Sequence, residues 1–150
     1  MHVLLVEDNA TLAHLFQVQL SWLGYVVTIA STKAQAMSVF KPETFDLVFI
    51  DIGLEGLRDR GLEILTEMKT IAPQQRIGIV SSNDLKDMVR HAQEKGAEFY
   101  MVKPFTLEGL RVTLDGSRED IHNYQPDVGE GRIILLYPFI GADYQPSIST

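Results

Sequence analysis

Phe45-Asp46-Leu47-Val48-Phe49-Ile50-Asp51-Ile52-Gly53 is the stretch on which the fold turns. Four consecutive apolar residues, Leu47 to Ile50, suit a strand buried on both faces, because a half-buried strand would alternate with polar residues. Asp51 ends that run and a glycine-containing turn follows, so its carboxylate emerges at the strand's carboxyl edge. The same pattern recurs along the chain. His2-Val3-Leu4-Leu5-Val6 is followed by Glu7 and Asp8, Ile77-Gly78-Ile79-Val80 by Ser81, and Phe99-Tyr100-Met101-Val102 by Lys103. Tyr25-Val26-Val27-Thr28-Ile29 reads as a fifth strand.

Helical patterns fill the intervals. Asn9 caps a first helix with Leu12, Leu15, Phe16 and Leu23 expected on its inner face, and Gly24 closes it in a left-handed turn. Ser31 or Thr32 caps a second helix bearing Ala34, Met37, Val39 and Phe40 and stopping near Pro42. Leu62, Leu65, Met68 and Ile71 mark a third, ended by Pro73. Leu85, Met88, Val89 and Ala92 mark a fourth, closed by Gly96, and Thr106 caps a fifth with Leu107, Leu110 and Leu114 inward. Strict alternation of strands with helices of about 10–13 residues predicts a doubly wound α/β fold, its five-stranded parallel sheet covered on both faces. Ligands of such sheets bind beyond the carboxyl ends of the strands.

Size and composition narrow the function. A chain of 150 residues, 45% hydrophobic, suits a single domain with a substantial core. With no cysteine, disulfides and thiolate metal sites are excluded, and no charged leader precedes an apolar stretch at the start. Both features fit a cytoplasmic protein. No apolar run reaches the roughly 20 residues of a membrane helix. The formal charge of -7 disfavours nonspecific binding to nucleic acid, and no helix-turn-helix pattern is evident. His2, His14, His91 and His122 lack metal-ligand spacing, and Lys86, Arg90 and Lys95 read as a solvated stripe.

Three acids, a hydroxyl and an amine on one rim suit a divalent cation and a phosphoryl group. Carboxylate donors select a hard cation, Mg²⁺ first among them, with Asp8 and Asp51 as direct ligands. The Gly53 carbonyl is a candidate third ligand, and Glu7 is long enough to act through water. Asp51 can also serve as a nucleophile, with Lys103 neutralising charge and Ser81 donating to a phosphoryl oxygen. Each residue alone has an ordinary reading: Asp51 as a turn residue, Glu7-Asp8 as helix-capping acids, Lys103 as a surface lysine. Their joint order carries the argument.

Val6-Glu7-Asp8-Asn9, Asp51, Ser81 and Lys103-Pro104, each at a strand end and in this order, resemble the receiver domain of bacterial two-component response regulators. The resemblance covers residues 1–115 and implies a flavodoxin-like strand order 2-1-3-4-5. It makes Glu7 and Asp8 the acidic pocket, Asp51 the phospho-acceptor, Ser81 the switch hydroxyl, Lys103 the phosphate-sensing lysine and Tyr100 the switch aromatic. It further implies Mg²⁺, a histidine kinase or histidine phosphotransfer protein as partner, and no turnover of an independent substrate. The chain departs from the family pattern in having Glu55 where a proline is usual, Ser82 where a small residue follows the switch hydroxyl, and a segment 53–61 about two residues longer.

Two other readings stand beside this one. A haloacid-dehalogenase-type phosphatase would also use an Asp nucleophile, Mg²⁺ and a lysine, but has a second Asp where this chain has Gly53. A phosphate-independent module would keep the fold alone. Residues 116–132 read as a polar, turn-rich linker and 133–150 as a C-terminal extension of unknown role. The β-prone run Ile133–Ile140 suits an added edge strand, on this chain or a partner, ahead of the first strand of a further domain or an idle extension. A homodimer could form through this extension or through the face of the fourth helix, fifth strand and fifth helix.

Overall fold

The structure, a computed structural model, describes residues 1–57, 59–82, 86–103, 106–115 and 133–135. In chain order the elements are β1 (His2–Val6), α1 (Ala10–Trp22), β2 (Val26–Ala30), α2 (Lys33–Val39), β3 (Leu47–Asp51), a 3-10 turn (Leu54–Gly56), α3 (Arg60–Ile71), β4 (Ile77–Ser81), α4 (Lys86–Glu94), β5 (Phe99–Val102), α5 (Leu107–Asp115) and β6 (Ile133–Leu135). The strands form one sheet of order β2-β1-β3-β4-β5-β6. The first five are parallel in the order 2-1-3-4-5, and β6 is antiparallel to β5. The register keeps the carboxyl ends level: Val6 pairs with Ile50, Ile50 with Ile79, and Ser81 with Val102. That alignment brings four chain-distant polar residues to one rim.

Because successive strand residues point to opposite faces, the sheet feeds two cores. On one face Leu4, Val6, Val48, Ile50, Ile77, Ile79 and Tyr100 meet α2, α3 and α4. On the other, Val3, Leu5, Leu47, Phe49, Phe99 and Met101 meet α1 and α5. Phe49 anchors the second core, with Phe16 at 4.9 Å and Phe99 edge-on at 5.6 Å between ring centroids.

Turn chemistry follows the sequence. Asn9 accepts the Leu12 N–H at α1, Thr32 the Gln35 N–H at α2, and the Thr106 hydroxyl the Gly109 N–H at α5. At the end of α1, Gly24 takes φ +91°, while its N–H donates to Ser21 and that of Tyr25 to Leu20. This is a Schellman closure, and it moves the start of β2 one residue past the expected Tyr25.

The expected inner faces need correction at four helices. In α1 the buried residues are Ala13, Phe16 and Leu20, with Leu23 partly buried, whereas Leu12 and Leu15 are 42% and 54% exposed. The helix is apolar on both sides, so periodicity alone could not choose between them. In α2 the inner residues are Ala36 and Phe40, Met37 is partly buried, and Ala34 and Val39 are exposed. Ile71 of α3 and Leu107 of α5 lie at helix ends and are exposed, while Ile64 and Val112 are buried instead. Leu85 and the expected linker 116–132 lie outside the described residues, as does the tail beyond 135. The part of the extension that is described pairs with the chain's own β5 edge, Ile134 opposite Tyr100.

Candidate functional site

The carboxyl ends of β1, β3, β4 and β5 open into a pocket of about 480 Å³ lined by Glu7, Asp8, Asp51, Gly53, Ser81 and Lys103 among others. Glu7 continues β1: its N–H donates to Ala30 on β2, and its side chain is buried. Asp51 is the last residue of β3 and is half-buried. Ile52 N–H donates to Val80, so the chain stays in the sheet one residue past Asp51 before turning away. Lys103 N–H donates to the Ser81 carbonyl at 2.7 Å, which holds the ends of β4 and β5 side by side.

The ion pairs define the site's electrostatics. Lys103 Nζ stands 2.7 Å from Glu7 Oε1 and 3.8 Å from Asp51 Oδ1. The Glu7 side chain is only 5% exposed, so the ammonium is its principal compensation. Glu7 Oε2 accepts the Asn9 N–H at 3.3 Å, and Asp51 Oδ1 accepts the Gly53 N–H at 3.4 Å. Asp8 is exposed, and its Oδ2 accepts the Glu55 N–H at 2.9 Å.

Glu7, Asp8 and Asp51 each offer a carboxylate oxygen, all within 4.8 Å of one another. Three acids formally outnumber the one ammonium lining the described pocket, which leaves the rim short of positive charge. An all-oxygen donor set with excess negative charge fits a hard divalent cation. Lys103 lies within ion-pair reach of both Glu7 and Asp51, and its ammonium can meet an anionic group in the pocket as well.

Every expected residue of the rim is brought together, and Tyr100 is not part of it. Tyr100 is fully buried in β5, in the core that also contains Met88, and Met88 lines the pocket. The Gly53 carbonyl already accepts the Gly56 N–H at 3.2 Å in the 3-10 turn. Two contributors escaped the sequence: the Glu55 N–H on Asp8, and Arg60, whose Nε lies 3.2 Å from Glu55 Oε2. The available signal was opposite charge at positions 55 and 60 within the long 53–61 segment.

Comparison with known proteins agrees with this geometry. The family model of the response regulator receiver domain matches residues 3–115. The alginate biosynthesis transcriptional regulatory protein AlgB of Pseudomonas aeruginosa is 36% identical over 110 residues, covering 73% of this chain and 24% of that protein. The transcriptional regulatory protein ZraR of Klebsiella oxytoca is 31% identical over 112 residues, covering 75% of this chain and 25% of that protein. The chain thus spans about a quarter of the length of these curated relatives. Among solved structures, a response regulator receiver domain from Clostridium thermocellum superposes with TM-score 0.67 at 27% identity, covering 74% of this chain and 88% of that one. A response regulator from Thermotoga maritima gives TM-score 0.65 at 26% identity, covering 75% and 93%. Over the span where β1, β3, β4 and β5 deliver the acids, the hydroxyl and the lysine to one rim, this chain belongs to the response regulator receiver family.

Proposed function

We propose that the chain accepts a phosphoryl group on Asp51 from the phosphohistidine of a histidine kinase or phosphotransfer protein, with Mg²⁺ at the acidic rim. The convergence of Glu7, Asp8 and Asp51 on one point beside Lys103 carries this reading. Asp8 and Asp51 are the direct protein ligands and Glu7 acts through water. The Gly53 carbonyl can ligate through the lone pair not engaged by Gly56. When bound, the cation neutralises charge on the rim and on the phosphoryl oxygens.

The Asp51 carboxylate attacks phosphorus in line. The bond from phosphorus to the donor imidazole nitrogen breaks, the imidazole keeps the electron pair, and an acyl phosphate remains on Asp51. Lys103, already 3.8 Å from Asp51 Oδ1, moves off Glu7 to pair with a phosphoryl oxygen, and the Ser81 hydroxyl donates to another. Water attacking phosphorus later restores the carboxylate, so the domain assists its own loading and unloading without turning over an independent substrate. Ser81 shifting toward the phosphoryl group alters the packing around Met88 and Tyr100, which biases a two-state equilibrium of the α4–β5–α5 face.

Geometry also supports a macromolecular donor. α1 presents Leu12, Leu15 and Trp22 to solvent, the last 79% exposed, and Leu12 lines the pocket itself. An apolar stripe running away from the rim suits a protein that must bring its phosphohistidine to Asp51. We place this exchange in the cytoplasm; among the described residues no helix is long and apolar enough to cross a membrane.

The test is incubation with acetyl phosphate and Mg²⁺, followed by intact mass. One added phosphoryl group is expected, absent in Asp51→Asn and absent when EDTA replaces Mg²⁺. An unmodified chain under conditions that load other receivers would favour a phosphate-independent module. Multiple turnover of a generic phosphomonoester would favour a phosphatase instead.

A further inference from the structure

We propose that Arg60 is a positioning residue which, through Glu55, sets the Asp8 carboxylate for cation binding. This rests on the reading of the acidic rim as a cation site.

Asp8 lies just beyond β1 and is exposed, so its side chain has little packing to orient it. It is held by a bond across the rim, from the Glu55 N–H in the β3–α3 segment to Oδ2 at 2.9 Å. To present that N–H, Glu55 takes φ +58° and ψ +24°, the left-handed conformation that residues other than glycine disfavour. The Glu55 side chain is tethered in compensation: Oε2 lies 3.2 Å from Arg60 Nε. This is an ion pair without hydrogen-bond alignment, since Arg60 Nε is buried and meets no acceptor at bonding geometry. Arg60 Nη1 also reaches Glu63 Oε2 at 3.3 Å.

Arg60 itself is well anchored. It opens α3, its N–H donates to Leu57 at 3.1 Å, and the next N–H, from Gly61, donates to Ile52 of the β3 end at 3.1 Å. The chain of contacts from β3 through Arg60 and Glu55 to Asp8 therefore ties one cation ligand to the strand that supplies another, Asp51. The arrangement is a support for a ligand carboxylate of the kind that fixes geometry at metal sites.

The sign of the effect separates positioning from charge. Deleting a cation near an acidic rim should, by Coulomb's law alone, tighten a divalent cation. Deleting a residue that orients a ligand should weaken it. Calorimetric titration of MgCl₂ into the unphosphorylated 150-residue protein reads this directly. Arg60→Met is expected to weaken Mg²⁺ by at least about threefold, a modest share of the loss typical for ligand-supporting residues. Arg60→Lys should stay within about twofold of the parent protein, as should Glu63→Gln, which removes Arg60's other partner together with the Lys33–Glu63 ion pair and leaves Glu55 in place. If thermal melting shows Arg60→Met unfolded at the assay temperature, Arg60→Gln carries the same expectation. Equal or tighter Mg²⁺ binding by the folded, charge-deleted variant overturns the proposal. Failure of the parent protein to bind Mg²⁺ would instead overturn the cation-site reading beneath it.

Discussion

Replacing Gly61 by alanine should damage fold and site together. Gly61 is the second residue of α3, and a Cβ built there would lie 2.5 Å from the Asp51 carbonyl oxygen, 2.6 Å from Ile52 Cα and 3.0 Å from the Ile52 carbonyl oxygen. Ordinary contacts begin near 3.4 Å, so the two backbones must part by most of an ångström. No flexible side chain can absorb this. β3 is paired on both sides, by β1 and β4, and α3 is seated through the fully buried Ile64, Leu65 and Met68. Overpacking of this kind costs about 1–3 kcal/mol, and sometimes more where only backbone can yield. Alanine recovers up to ~1 kcal/mol of helix propensity, less in a first turn. A net loss of roughly 1–3 kcal/mol is expected, or a fall of about 2–12 °C in Tm. Since the clash falls on the proposed acceptor residue, Asp51, loading by acetyl phosphate should also slow by at least about tenfold, in keeping with the cost of sub-ångström to 1 Å misplacement at a reacting group. Thermal melting by circular dichroism and time-resolved intact mass measure the two effects. A variant that melts at or above the parent temperature and loads at the parent rate would refute the close-approach argument.

Three more outcomes follow from the ion pairs and the α1 surface. Lys103→Met should destabilise the protein in EDTA by about 1–3 kcal/mol, because it strands the buried Glu7 carboxylate, and millimolar Mg²⁺ should restore part of that; urea unfolding with and without the cation tests it. Arg76→Met should cost about 2–4 kcal/mol by stranding Glu98, whose side chain is 8% exposed, yet leave the loading rate of Asp51 unchanged, since that pair sits at the opposite end of the strands. Leu15→Glu combined with Trp22→Ala should slow phosphotransfer from a protein donor more than about tenfold while leaving loading by acetyl phosphate within about twofold; equal slowing with both donors would remove α1 from the docking surface.

Strand positions, turn residues and the rim were legible because each rests on short-range chemistry. A run such as Leu47–Ile50 can only be buried, Asp51 can only stand at its end, and Asn9, Thr32 and Gly24 each serve a backbone group within three residues or bend the chain locally. Helix faces were less legible where apolar residues exceed what the core can hold. In α1, Leu12 and Leu15 are as apolar as Phe16, and only the packing against Phe49 decides that Phe16 turns inward. Contacts between loops were not legible at all. The bond from Glu55 to Asp8 joins residues 47 positions apart and depends on a positive φ at a glutamate, which no local propensity predicts.

The distribution of rigidity around the rim explains why its acids are tolerated. Glu7, Asp51 and Ser81 lie at or directly beyond β1, β3 and β4, whose side chains are almost wholly buried, so their backbones cannot yield to repulsion between carboxylates. Asp8 lies one step further out than Glu7, and the Lys103 side chain extends from the end of β5; these two side chains are held by polar contacts instead, Asp8 by the Glu55 N–H and Lys103 by Glu7. A polar contact exchanges for another at far lower cost than a packed strand moves. Under the proposed function Lys103 is the member that exchanges its partner, Glu7, for a phosphoryl oxygen, while Asp8 keeps the Glu55 contact that orients it and Asp51 stays on a strand that cannot shift.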